Sequence, residues 1–159
     1  AEVRDAAAWE AANAGQTGHT ILTAFHADSA RDAYRRLVSM CHLARTGLSD
    51  ELLLEMCAGA WPIMVFKKQL KDNSRKYMEI YESTGVENGK LQGQMLYRFV
   101  ISETERDGHG HVVKVHGSHQ KVGTISPGLF VRLRDNGTPE AELYRLFPDA
   151  CPEVEANEK

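Results

Sequence analysis

After Gly59 the hydrophobic period of this chain changes from helical to strand-like, and that change limits its fold more than any other feature. Before it, apolar residues recur at three- and four-residue spacing, the period of an amphipathic helix. After it they alternate or run short, as in strands. The expectation is an α/β chain whose helices come first and whose antiparallel meander follows.

Residues 6–16 are rich in Ala, with Trp9 and Ala12 three apart, and Asp5 is expected to cap this first helix. Gly15 and Thr17-Gly18-His19 break it. Residues 20–25 are apolar, rich in β-formers and bounded by loop residues, so a buried strand is expected there. After a loop at 26–29, with Asp28 or Ser29 as cap, Ala30, Ala33, Tyr34, Leu37, Val38 and Cys41 recur at helical spacing. Arg31, Arg35 and Arg36 fall on the opposite side. Gly47 is expected to end that element. Ser49 opens another over 50–58, with Leu52, Leu53, Met56 and Cys57 as its apolar side.

Strand patterns then cover 62–70, 75–83 and 91–101. Between the last two stands Glu87-Asn88-Gly89-Lys90, and Asn-Gly is the strongest short hairpin signal, because a type I′ turn needs positive φ at both central residues. A second turn at 107–110 leads into 111–115. Ser126-Pro127 opens a helix to about Asp135 that Asn136-Gly137 stops, and Thr138-Pro139-Glu140 repeats the device before Pro148. Charge and glycine replace apolar residues around 103–110. The expected division is therefore 1–102 and 103–159, the second part being an extension with two short helices. The last nine residues are polar and expected to fray.

A chain of 159 residues is about one domain, and its net charge of −3 with 42% hydrophobic residues argues against disorder and against a supercharged nucleic-acid binder. The most apolar window, 60–66, is shorter than the roughly 20 residues of a membrane span and contains Pro62. Cys41, Cys57 and Cys151 have no CxxC spacing, which suits a reduced, cytoplasmic protein better than a disulfide framework. Ala1 opens without an initiator Met or a leader, as expected of a piece of a longer chain.

Several residue groups could carry chemistry. Residues 85–91 superficially suggest a phosphate-binding loop, but three residues separate the glycines where four are needed, and Leu91 stands where Ser or Thr would bind Mg²⁺. A hairpin turn is expected instead. His109, His111, His116 and His119 cluster, and His109 and His111 would share a face on a strand. His116 has the opposite parity and no Cys, Asp or Glu joins them at ligand spacing, so no metal site is assigned. Lys67, Lys68, Lys71, Arg75 and Lys76 form a basic run with one acid, Asp72. It is expected as a solvated hairpin, and direct nucleic-acid contact is not assigned to it.

The sharpest constellation is Glu2 with His26. If Glu2 ends one strand and His26 the next, parallel neighbour, both face the cleft at the strands' carboxyl ends, where α/β sheets bind ligands. A carboxylate there can orient an attacking water, and a histidine can respond to a nucleotide's terminal phosphate.

At this point the chain resembles a family. Ala1-Glu2-Val3-Arg4-Asp5, Thr17-Gly18-His19, residues 20–27 and Arg36-Leu37 resemble the end of the Walker B strand and the histidine box of type II/type IV secretion ATPases, hexameric motors of pilus assembly, secretion and conjugation. The likeness is greatest to the Flp-pilus-assembly and conjugation-type branch and covers about the first 100 residues. Ala1 stands where the family usually has Gly, and Asp28 where Asn is common.

The resemblance implies the C-terminal part of a RecA-like P-loop NTPase domain, followed by the meander and a small helical tail. It gives Glu2 as the catalytic glutamate and His26 as the coupling histidine. Thr17, Gly18, His19 and Thr23 match other members of the box, and Arg4 and Arg36 support the nucleotide site. It implies ATP with Mg²⁺, held mainly by an N-terminal part with the Walker A loop, and no metal ligands in this chain. The implied partners are identical subunits in a hexameric ring and an inner-membrane platform protein, at the cytoplasmic face of the membrane. This piece alone is expected to be inactive. The rival expectation is a non-enzymatic module that docks a partner through the basic hairpin and the His-rich segment.

Overall fold

A computed structural model describes residues 2–44 and 47–150; the expectations for Ala1, Cys151 and the polar tail fall outside the described residues. Three helices come first, α1 (Ala7–Gln16), α2 (Asp32–His42) and α3 (Asp50–Ala60). Four strands follow, β1 (Ile63–Gln69), β2 (Arg75–Glu87), β3 (Lys90–Arg106) and β4 (Val112–Lys121), then α4 (Pro127–Asp135) and α5 (Glu140–Leu146). The strands form one antiparallel meander in the order β1-β2-β3-β4.

The local chemistry of the turns explains much of this. Asn88 and Gly89 take φ of 51° and 69°, the positive pair a type I′ turn requires, and Glu87 faces Lys90 across the closing hairpin. The loop-like motif at 85–91 is thus a hairpin turn. Ser49 and Ser126 each accept a backbone N–H three residues on, from Leu52 at 3.3 Å and Leu129 at 3.1 Å, and so cap α3 and α4. Ser29 does the same for Asp32 at 3.0 Å. Gly93 sits where a Cβ would fall 2.1 Å from the Glu82 carbonyl oxygen, so only glycine allows β2 and β3 to approach this closely.

Two apolar layers flank the sheet. Met64, Phe66 and Tyr81 face α1 to α3, where Ala12, Tyr34, Leu37 and Leu53 are buried. The Tyr34 hydroxyl donates to the Trp61 carbonyl at 2.6 Å, and its ring meets Tyr81 edge-on at 6.3 Å. Alternate residues Ile63 and Ile80 face the other way, onto a second cluster built from Leu96, Ile125, Leu129, Phe130 and Leu143. Glu82 is buried on that side at 1% exposure. Its carboxylate accepts from Gln94 Nε2 at 2.9 Å, from the Ser126 N–H at 2.9 Å and from the Ser126 hydroxyl.

Several expectations are corrected. Asp5 does not cap α1: it has φ of 50°, and the residue before the helix, Ala6, makes no side-chain cap. α2 ends at His42, ahead of Gly47. Residues 20–25 are not a buried strand. Their described pairing is a single parallel bridge from Glu2 to Ala24, and Leu22 is 90% exposed, because no other described strand covers their outer side. On α3 the buried side is Leu53, Cys57, Ala58 and Ala60, while Leu52 is 42% exposed. α5 starts without a side-chain cap. As for the later segment, β3 runs on to Arg106 and pairs with β4, and the chain then turns into α4 and α5.

The tip of the β1–β2 hairpin is tied to β4. Asp72 accepts from the Ser74 N–H at 3.0 Å and hydroxyl at 2.7 Å, and its second oxygen accepts from the Val115 N–H at 2.9 Å. The Ser74 hydroxyl, followed by the Val115 N–H, holds the Asp72 carboxyl below the usual carboxylate range. A depressed native pKa contributes stability that is complete above the unfolded value of about 3.9 and is lost as pH falls through the native one. The stability difference between wild type and Asp72→Asn is therefore expected to narrow as urea unfolding is repeated from neutral pH down past that window. A difference that stays constant with pH would refute the tie.

Candidate functional site

The bridge between Glu2 and Ala24 is the element that builds the site. It runs parallel, and the Val3 N–H donates to the Ala24 carbonyl at 2.8 Å. Two chain segments leaving this bridge in the same direction bring their next side chains to the same end. His26 Nε2 accordingly lies 3.6 Å from Glu2 Oε1, while Arg4 Nη2 donates to Glu2 Oε2 at 2.7 Å. Each carboxylate oxygen therefore has its own neighbour. The hydrogen bond from Arg4 is the main cause that lowers the Glu2 pKa, and the charges of Arg4 and His26 act in the same direction. Glu2 is an ionised carboxylate at neutral pH. His26 is a true ion-pair partner only when protonated.

These residues open on a cavity of about 520 Å³ whose lining includes Glu2, Arg4, Phe25, His26 and Arg36. A neighbouring cavity of about 740 Å³ shares His26, Arg36 and Ser39 with it and adds Asp28 and Arg35. Both volumes lie in the range of small-molecule sites. Arg36 reaches the site from α2, whose buried residues Leu37, Val38 and Cys41 turn Arg36 outward. Ser39 was not singled out in the sequence. It lies one helical turn after Arg36, and that spacing is the signal that finds it.

The other expected members are elsewhere. Thr17, Gly18 and His19 close the C-terminus of α1. The Thr17 hydroxyl donates to the Ala14 carbonyl at 2.9 Å, Gly18 has φ of 87°, and the His19 N–H donates to Ala14 at 3.2 Å. Thr17 Oγ1 and His19 Nδ1 are 3.1 Å apart. They do not line the cavity that holds Glu2 and His26. Thr23 does not line that cavity but an adjoining groove of about 230 Å³ between its own segment and β1, which shares Phe25 and His26 with it, and the buried Thr23 hydroxyl has no hydrogen-bond partner among the described residues.

A family profile described as Type II/IV secretion system protein matches residues 1–114. The chain belongs to that family. The match takes in the Glu2–His26 site, all three N-terminal helices and the sheet as far as the start of β4. No curated protein matches the chain. This member of the type II/IV secretion family is a mixed α/β chain in which, among the described residues, no helix is long and apolar enough to cross a membrane.

The His-rich segment does not form a centre of its own. His109 and His111 lie in the turn ahead of β4 rather than on a strand, with ring centroids 6.3 Å apart. Acids do join the histidines, contrary to the sequence expectation: Asp107 contacts His111 Nδ1 at 3.2 Å, and Glu105 pairs with His116. His119 turns away, onto the Phe99 ring and the Tyr77 carbonyl. Among the described residues no group of three or more His, Cys, Asp or Glu is placed to hold a metal ion. Cys41 and Cys57 are both buried and free.

Proposed function

We propose that this secretion-family chain supplies the water-activating half of an ATP hydrolase built on a RecA-like P-loop domain. In this reading the complete protein works as a hexameric ring at the cytoplasmic face of the inner membrane, docked on a platform protein, and drives pilus assembly, secretion or conjugation. The observation that carries it is the parallel Glu2–Ala24 bridge, which sets the Glu2 carboxylate and the His26 imidazole 3.6 Å apart at the mouth of a cavity.

In phosphoryl transfer the protein mostly positions groups and stabilises charge. Glu2, kept ionised by Arg4, accepts a hydrogen bond from water and aligns it for attack on a terminal phosphate. His26, beside the other carboxylate oxygen, changes its contacts with that phosphate's departure and so couples nucleotide state to movement. Arg36, from the cavity wall, offers positive charge to the phosphates. Thr17, Gly18, His19 and Thr23 are assigned to shaping the backbone of the box rather than to contact with nucleotide.

The residues present do not fit the remaining needs of MgATP. The sequence contains no GxxxxGK[ST] loop, whose Lys would hold the phosphates and whose Ser or Thr would bind Mg²⁺. Those parts belong to the rest of the complete protein, and the chain alone is expected to show no significant turnover. The deciding experiment is hydrolysis and nucleotide binding by the complete protein with Glu2→Gln. Retained turnover removes Glu2 from the catalytic role.

A further inference from the structure

The loop that carries His26 is held at two ends. At one, the Val3 N–H donates to the Ala24 carbonyl at 2.8 Å; at the other, the Ala30 N–H donates to Glu79 Oε2 at 2.9 Å. Between them, residues 25–28 make no backbone hydrogen bond to any described residue, and a groove of about 230 Å³ lies between this segment and β1. His26 therefore takes its place from Ala24 and Ala30. The first anchor belongs to the Glu2 segment and the second to the sheet.

Glu79 lies within β2, opposite Phe66 of β1 and Arg98 of β3, and Phe66 packs against the helical layer. Glu79 forms no ion pair with a described residue, Arg98 included, so its carboxylate serves a backbone N–H rather than a cation. Ala30 is completely buried. Its N–H stands just ahead of α2, among the donors that a helix start leaves without a partner. The Ser29 hydroxyl covers the Asp32 N–H and leaves that of Ala30 to Glu79. Negative charge there also suits the positive end of the helix. Without Glu79 this N–H would be buried and unpaired, a state that proteins relieve by letting water in. α2 is held against such a movement, because Ala33, Tyr34 and Leu37 are buried and Arg31 Nη2 donates to the Leu91 carbonyl at 3.3 Å. The unpaired stretch 25–28 yields instead and takes His26 with it.

We propose that Glu79 is a positioning residue: through the Ala30 N–H it sets His26 against Glu2, and so ties the antiparallel sheet to the candidate site. A shift of β2 relative to the Glu2 segment then changes the His26–Glu2 separation, which is 3.6 Å here. Glu79 itself touches neither of these side chains; it acts on the loop backbone alone. The inference rests on the reading of His26 as the coupling residue, and it names β2 as the element to which His26 is coupled.

Two measurements test it. In the full chain, the imidazole signals of His26 are followed by two-dimensional NMR and assigned with His26→Gln. Glu79→Ala should shift or broaden them, and so should Glu79→Asp, which is one methylene too short to reach Ala30. Glu79→Gln keeps an acceptor oxygen at the original reach and should leave them in place. The signals of His42 and His116, at the far end of α2 and on β4, should stay fixed in all three variants and report that the fold is intact. In the complete protein, Glu79→Ala should lower kcat by about tenfold to a hundredfold with KM little changed, the effect of a misplaced group rather than of lost binding. Glu79→Gln should restore most of the rate, and in a His26→Ala background Glu79→Ala should add no further loss. Unmoved His26 signals in Glu79→Ala, equal movement of His42 and His116, no rescue by glutamine, or a full additional loss in the His26→Ala background would overturn the positioning role. Moved His26 signals with unchanged turnover would uphold the contact and instead remove His26 from the proposed reaction, so the two failures are told apart.

Discussion

Glu2→Gln in the complete protein is expected to lower ATP turnover by about a hundredfold to ten-thousandfold, the usual worth of a positioned general base, while nucleotide affinity stays close to wild type. Glutamine keeps the length and shape of the side chain but loses its charge and half of its acceptor capacity, so a water held by Glu2 is neither polarised nor aligned. The contact with Arg4 weakens at the same time, because the 2.7 Å hydrogen bond then has a neutral acceptor. Arg4→Gln separates the two effects. It removes the main cause of the lowered Glu2 pKa, so the acid limb of the pH–rate profile should move upward while the reaction continues. Single-turnover hydrolysis beside equilibrium binding of a labelled nucleotide checks both variants. If Glu2→Gln lost binding and turnover together, the side chain would be holding the nucleotide rather than the water.

What the sequence could convey here depended on the range over which each signal acts. The change of period after Gly59, the Asn88-Gly89 turn and the serine caps at Ser49 and Ser126 act within a few residues, and each appears in the structure where the sequence places it. Burial acts over longer distances and was harder to read. Residues 20–25 have the composition of a central strand, yet whether such a segment is covered depends on its neighbours, and Leu22 stands exposed. Leu52 failed for a related reason: it has the helical spacing of a core residue, but the sheet meets α3 on the side of Leu53 and Cys57. At the candidate site, the closeness of Glu2 and His26 followed from parallel pairing alone. The placement of Thr17 to His19 did not, since a motif that is contiguous in sequence still closes a helix ten residues long before the chain returns. Glu82 gave no signal at all, because its partners Gln94 and Ser126 are 12 and 44 residues away.

That same Glu82 carries the largest expected effect on stability. Glu82→Ala should cost about 2–3 kcal/mol, the upper part of the range for leaving hydrogen-bond donors without their acceptor. The carboxylate serves two tasks at once. It accepts the Gln94 amide within the sheet, and it fixes Ser126, whose hydroxyl in turn receives the Leu129 N–H and caps α4. Deleting it leaves the half-buried Ser126 N–H and Gln94 amide without their acceptor and opens a void beside Ser126. Glu82→Gln should cost less, about 1–2 kcal/mol, since one acceptor oxygen survives while its new amide faces other donors. The loss should also be uneven. α4 and α5 are held to the sheet by this contact and by the Leu129–Phe130–Leu143 cluster, whereas the helical layer packs on the opposite face. Hydrogen exchange in Glu82→Ala should therefore accelerate first at Leu129 and Phe130 and only later at Leu37 and Leu53. An unchanged urea midpoint, or equal acceleration in both layers, would show that Glu82 is not what anchors the C-terminal helices.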